Sequence, residues 1–65
     1  MFNLDYSKVY MIQVILNGTS SPYDTVATGE KVDGVINDIR FMFPDFKKIV
    51  VYDAETKEAV GIIRE

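Results

Sequence analysis

The chain has 65 residues with ten acidic and seven basic side chains, a net charge of −3, and neither cysteine nor histidine. Those totals exclude disulfides and the usual zinc ligands, and they lack the basic stripe that phosphate-backbone binding needs. One domain spanning residues 1–65 is expected, and a domain of this size buries only about 60% of its unfolded surface. Oligomerisation or a very well packed core must then supply its stability. The apolar fraction of 48% suits a folded chain. No apolar run approaches the roughly 18 residues of a membrane span. The first residues lack the basic and apolar regions of a signal peptide, so the sequence reads as cytoplasmic, with no membrane contact.

Val9 to Leu16, VYMIQVIL, is rich in β-branched residues and is bounded by Asn17-Gly18, a hairpin signal. It is predicted as a strand. Apolar residues occupy both of its faces, interrupted only by Gln13, so both faces are expected to be covered. The second strand falls between Thr19 and Thr28. A two-residue turn pairs Leu16 with Thr19 and sets Gln13 opposite Pro22. A longer loop through Ser20-Ser21-Pro22 resumes pairing at Tyr23 instead. In the two-residue register Pro22 is tolerated only at an edge, so this is expected to be an edge strand, more polar than the first. The Asn17-Gly18-Thr19 glycosylation sequon is more useful as a turn signal.

Glu30 to Phe43 carries a helical period, with Val32, Val35, Ile36, Ile39, Met42 and Phe43 forming one buried stripe. Thr28 is the expected N-cap, and Pro44 ends the helix near Phe43. Such a helix is ~21 Å long, enough to cross a small sheet. Phe46 to Asp53 is the third strand. Asp53 to Glu58 is a turn in which Asp53 accepts backbone hydrogen bonds from two or three residues on. Ala59 to Arg64 is the fourth strand, pairing back on the third. The fold class is α+β, ββαββ, with one helix on a four-stranded, mostly antiparallel sheet.

Chemistry-bearing patterns are sparse. The commonest general base and the most reactive nucleophile are missing, the four glycines stand apart, and the serines read as turn residues, so no enzyme is expected. Asp53, Glu55 and Glu58 cluster in one turn but lack the spacing and glycine of a calcium loop. No metal and no cofactor is expected. Asp33 and Asp38 are five residues apart on the helix and read as solubilising charges.

Two surfaces remain as candidates. One helix covers one face of a four-stranded sheet, which leaves apolar surface over. Val9, Met11 and Ile15 of the first strand and Val51 of the third are the expected members of that open face, and a homodimer through it is the simplest use. The alternative is that loops and the N-terminal Phe2 and Leu4 fold over it. On the helix, ~100° per residue puts Phe41 at ~180° from the Val32 stripe, with Gly34 beside it and Asn37 and Asp38 flanking. Those four residues form the candidate partner site.

The closing segment KIVVYDAETKEAVGIIRE resembles the final hairpin of small strand-strand-helix-strand-strand proteins encoded by bacteriophages and mobile elements. The resemblance is one of topology and has no diagnostic motif. It implies a short non-enzymatic protein that inhibits or modulates a host protein. The function expected is therefore a small binding module, homodimeric, contacting another protein without binding nucleic acid directly. Two alternatives stand beside it. One is an acidic nucleic-acid mimic that inhibits a DNA-binding enzyme, although Lys31, Lys47 and Lys48 dilute any acidic stripe. The other is a dimer sequestering a small nucleotide ligand, for which Lys8, Lys31, Arg40 and Arg64 are available cations.

Overall fold

The computed structural model describes residues 4–18 and 22–64. The elements follow the expected order: β1 (Val9–Leu16), β2 (Tyr23–Thr28), a 3-10 turn at Gly29–Lys31, α1 (Val32–Met42), β3 (Phe46–Asp53) and β4 (Ala59–Arg64). The strands form one sheet in the order β2-β1-β3-β4, every neighbouring pair antiparallel. β2 and β3 both flank β1, so they run parallel to each other. Antiparallel partners can be joined by a tight turn, but this parallel pair needs a long crossover, and α1 is that crossover. The two apolar central strands are β1 and β3, and the more polar β2 lies at an edge, with Pro22 in the loop just before it.

Alternation in β1 places Tyr10, Ile12 and Val14 under the helix, where they are buried. Ile49 and Val51 join them from β3, and Val32, Ile36 and Ile39 close the core from the helix. These three helical positions recur at i, i+4 and i+7, so one stripe of α1 faces the sheet. Each fully buried aliphatic side chain contributes roughly 1.5–3 kcal/mol relative to exposure, which makes this single layer the main source of stability.

Several expectations are corrected. Met42 is not in the buried stripe: it is 55% exposed. It lies about 80° off the Val32 meridian, at the margin of the stripe, and Pro44 then turns the chain away. Val51 does not belong to the open face, since it is fully buried in the core beneath α1. Its neighbour Val50 has the opposite parity and takes the open-face place. The β1–β2 register pairs Val14 with Tyr23 and Gln13 with Asp24, which is the longer-loop alternative and not the two-residue turn. Thr19, Ser20 and Ser21 lie outside the described residues. Gly18 nonetheless has φ +78, the left-handed value that favours glycine. Beside it, the Asn17 amide donates to the Asp45 carbonyl at 2.8 Å, tying the β1 end to the β3 start.

The helix ends differ as well. Residues 29–31 form a 3-10 turn before the α-helix begins, and Thr28 precedes that turn without a side-chain cap hydrogen bond. At the other end Phe43 leaves helical geometry (φ −126, ψ 71) as its position before Pro44 requires, and its N–H donates to the Ile39 carbonyl at 2.8 Å. Its ring packs on Tyr23 of β2, centroids 5.4 Å apart and tilted by 49°. The pre-proline turn therefore aims Phe43 back at the edge strand.

Candidate functional site

The register groups side chains into rows across the face opposite α1. One row is Val26, Met11, Tyr52 and Ala59, from β2, β1, β3 and β4 in turn. The next is Asp24, Gln13, Val50 and Ile62, and beyond it come Ile15, Lys48 and Arg64. Val9 pairs with Thr28 at the opposite end. Paired residues in an antiparallel ladder share a face, so these side chains form one surface.

This surface is apolar and open. Val26 is 63% exposed, Val9 49% and Ile62 47%, while Met11 and Ile15 are half-buried by their strand neighbours alone. Three of the four residues expected on the open face, Val9, Met11 and Ile15, are therefore there. Leu4 does not cover them, because it packs against the core cluster. Phe2 lies outside the described residues. The polar contacts on the face are thin: the Tyr52 hydroxyl lies 3.5 Å from Gln13 Oε1, and the Lys57 ammonium rests 4.0 Å from Met11 Sδ. Val50, at the centre, is only 4% exposed.

The outer face of α1 is the second surface. Phe41 points away from the sheet as its helical phase requires and is 89% exposed. Gly34, Asn37 and Asp38 are exposed around it, and nothing lies within 4 Å of where a Gly34 side chain would begin. All four residues of the candidate partner site thus share one outward face. Met42 adds a second exposed apolar side chain at its margin. The wheel put Met42 inside; its place 80° from the stripe centre was the available signal.

A shallow depression at the far end of the sheet is lined by Ser7, Lys8, Val9, Asp53, Ala54 and Glu55. Two of its charged groups, Lys8 and Asp53, are matched to each other. Lys8 Nζ donates to Asp53 Oδ2 at 2.7 Å. Asp53 Oδ1 accepts the Glu55 N–H at 2.8 Å and the Thr56 N–H at 3.3 Å, as its turn position predicts. The Lys8 hydrogen bond, reinforced by those backbone donors, holds the Asp53 carboxyl below its ordinary pKa, and the same contact raises Lys8. Lys8 is therefore held by Asp53. The sequence separates the pair by 45 residues, so no local pattern announces it.

This ion pair has a pH signature. A carboxyl whose pKa is lower in the folded state stabilises above its unfolded value, about 3.9, and loses that contribution as pH falls through the folded value. A lysine whose pKa is raised stabilises below about 10.4 and loses that contribution as pH rises through its folded value. Unfolding midpoints are therefore expected to fall at both extremes. Asp53→Asn should flatten the acid limb between about pH 5 and pH 2, measured by urea melts across pH. An unchanged acid limb would assign that loss to other carboxylates.

Among the described residues, no helix is long and apolar enough to cross a membrane, and no group of three or more acidic side chains is placed to hold a metal ion. No family model, curated protein or solved structure matches the chain.

Proposed function

We propose that the chain is a small non-enzymatic binding module that works as a homodimer and acts by contacting another protein, as an inhibitor or adaptor of a host component. The observation that carries this reading is the one-sided sheet. α1 covers one face, and the opposite face presents Val26, Val9, Met11 and Ile62 around a buried Val50, with no element of the described chain across it. A sheet apolar on both faces is stable when each face has a second layer, and a copy of the same chain supplies one. The outward face of α1, with Phe41 as its anchor, stays free in such a dimer for a further partner.

Light scattering on eluting protein tests the dimer. The expected mass is twice that of the chain, and Val26→Lys, at an exposed position, should shift it to the monomer without loss of the far-UV spectrum. A wild-type protein that is folded and strictly monomeric would refute the dimer. The partner contact is tested by recovery of host proteins on immobilised wild type, Phe41→Ala and Gly34→Lys. Phe41→Ala should leave the melting curve within about 0.5 kcal/mol of wild type, and Gly34→Lys should raise it, because lysine is the better helix former, so neither loses the fold. A specifically retained protein lost with either variant is the expected result. Equal retention by all three would remove the helix face from the reading.

A further inference from the structure

The open face carries a charge pattern that its own fold leaves unresolved. Lys48 and Arg64 are direct cross-strand neighbours on that face, where like charges oppose one another. Asp24, on the other edge of the same face, is paired with uncharged Gln13. Arg64 on β4 is separated from Asp24 on β2 by the full width of the sheet, with Lys48 on β3 and the Lys57 ammonium on Met11 between them. No ion pair links them among the described residues, where the Lys8–Asp53 pair is made at the far end of the sheet.

Resting on the dimer reading above, we infer that a second copy of the chain covers this face about a two-fold axis parallel to the strands, between β1 and β3, so that Asp24 of each copy meets Arg64 of the other. That operation lays β2 over the β4 of the second copy and β1 over its β3. Met11 then faces Tyr52, Gln13 faces Val50, and Asp24 lies above Ile62. Arg64 is two residues further along β4, about 7 Å of strand, which its side chain spans. Lys48 comes over Ile15, where its stem packs on apolar surface and its ammonium turns toward the same carboxylate. Both unmatched corners are thereby satisfied, twice per dimer, around an apolar centre.

An axis running across the strands turns the copies end for end and does not achieve this. It lays each strand over the same strand of the second copy, so about the Gln13–Val50 row Asp24 faces Asp24 and the like charges oppose one another. The area sets the strength. Four strands spaced about 4.8 Å apart, with about six residues each, make a plane of roughly 400 Å² per copy. That is smaller than a standard interface, so the dimer is weak and reversible.

Charge exchange measured by sedimentation equilibrium distinguishes the arrangements. Asp24→Arg and Arg64→Asp should each raise the dimer dissociation constant about tenfold, since each sets like charges together at two symmetric places. The double variant Asp24→Arg with Arg64→Asp should return it to within about threefold of wild type. Asp24 and Arg64 are both exposed strand sites, and circular dichroism checks that the variants fold. Single variants that dimerise as wild type does, or a double variant that is not rescued, would overturn this arrangement while leaving a dimer in place. Wild type that remains monomeric up to about 1 mM would overturn the dimer itself, and with it this inference, leaving the face to an unrelated protein or to the chain's own first residues.

Discussion

Ile36→Ala is expected to remove about 3 kcal/mol of stability and to leave much of the chain unfolded in water. Ile36 is fully buried, one turn after Val32 and one before Ile39, on the stripe that joins α1 to β1 and β3. Truncation loses the transfer free energy of three carbons and opens a cavity that the layer above β1 cannot close, because its neighbours belong to rigid strands. The total stability of a 65-residue chain is only about 3–10 kcal/mol. One such site is therefore a large fraction of the whole. Urea denaturation at fixed protein concentration reads the effect as a lowered midpoint with an unchanged slope; the fixed concentration matters because dimerisation would add to apparent stability. A loss below about 1 kcal/mol would mean that the helix–sheet layer is looser than its burial indicates.

How much of this could be read from the sequence follows from the range of the forces involved. The stripe of α1 was legible because a 3.6-residue period is local, and Phe41 was legible as its complement. The buried turn chemistry of Asp53 was legible for the same reason: its acceptors are filled from two and three residues away. The existence of an open apolar face also followed, by counting faces against one helix. What failed was parity. In a strand with apolar residues on both faces, IVVY, hydrophobicity cannot say whether Val50 or Val51 looks toward the helix. That choice is made by pairing with β1, where Ile12 meets Val51 and Gln13 meets Val50. A one-residue slip would exchange every side chain between faces. The β1–β2 register was ambiguous for a related reason. Asn17-Gly18 signals a turn, but the pairing of Val14 with Tyr23 and the packing of Tyr23 on Phe43 fix the strand two residues beyond the tight-turn register. The candidate helix site needed no such long-range information, and all four of its residues came together. The face-wide rows did need it, and the unmatched Lys48–Arg64 pair appears only once β3 and β4 are in register.

Gly29 and Gly34 should respond to the same substitution with opposite signs. In sequence they look alike, two isolated glycines at the start of a helical segment. Gly34 stands on the outer face of α1 with open space beyond it, so Gly34→Ala should stabilise by about 1 kcal/mol through helix propensity. Gly29 is buried where the backbone of residues 5 and 6 crosses the β2–α1 junction. A Cβ there would overlap the Asp5 carbonyl oxygen and stand 2.9 Å from its carbon and 3.1 Å from Tyr6 Cα. These are main-chain atoms, and they are held in place. The Asp5 carboxylate accepts the Ser7 N–H at 2.9 Å and the Ser7 hydroxyl at 2.7 Å, the Asp5 carbonyl accepts the Lys8 N–H at 3.2 Å, and the Asp5 N–H donates to the Tyr10 hydroxyl at 3.0 Å. The Gly29 N–H itself donates to the Lys8 carbonyl at 2.9 Å. Neither side of the contact can give without breaking some of these bonds. Gly29→Ala should therefore destabilise by about 1–3 kcal/mol, the range for overpacking. It should also raise hydrogen exchange at the Asp5, Lys8 and Gly29-position amides ahead of the core strands, because the segment lifts before the sheet opens. A stabilising Gly29→Ala, or exchange that rises uniformly through β1 and β3, would show that this crossing is not the tight approach that requires glycine.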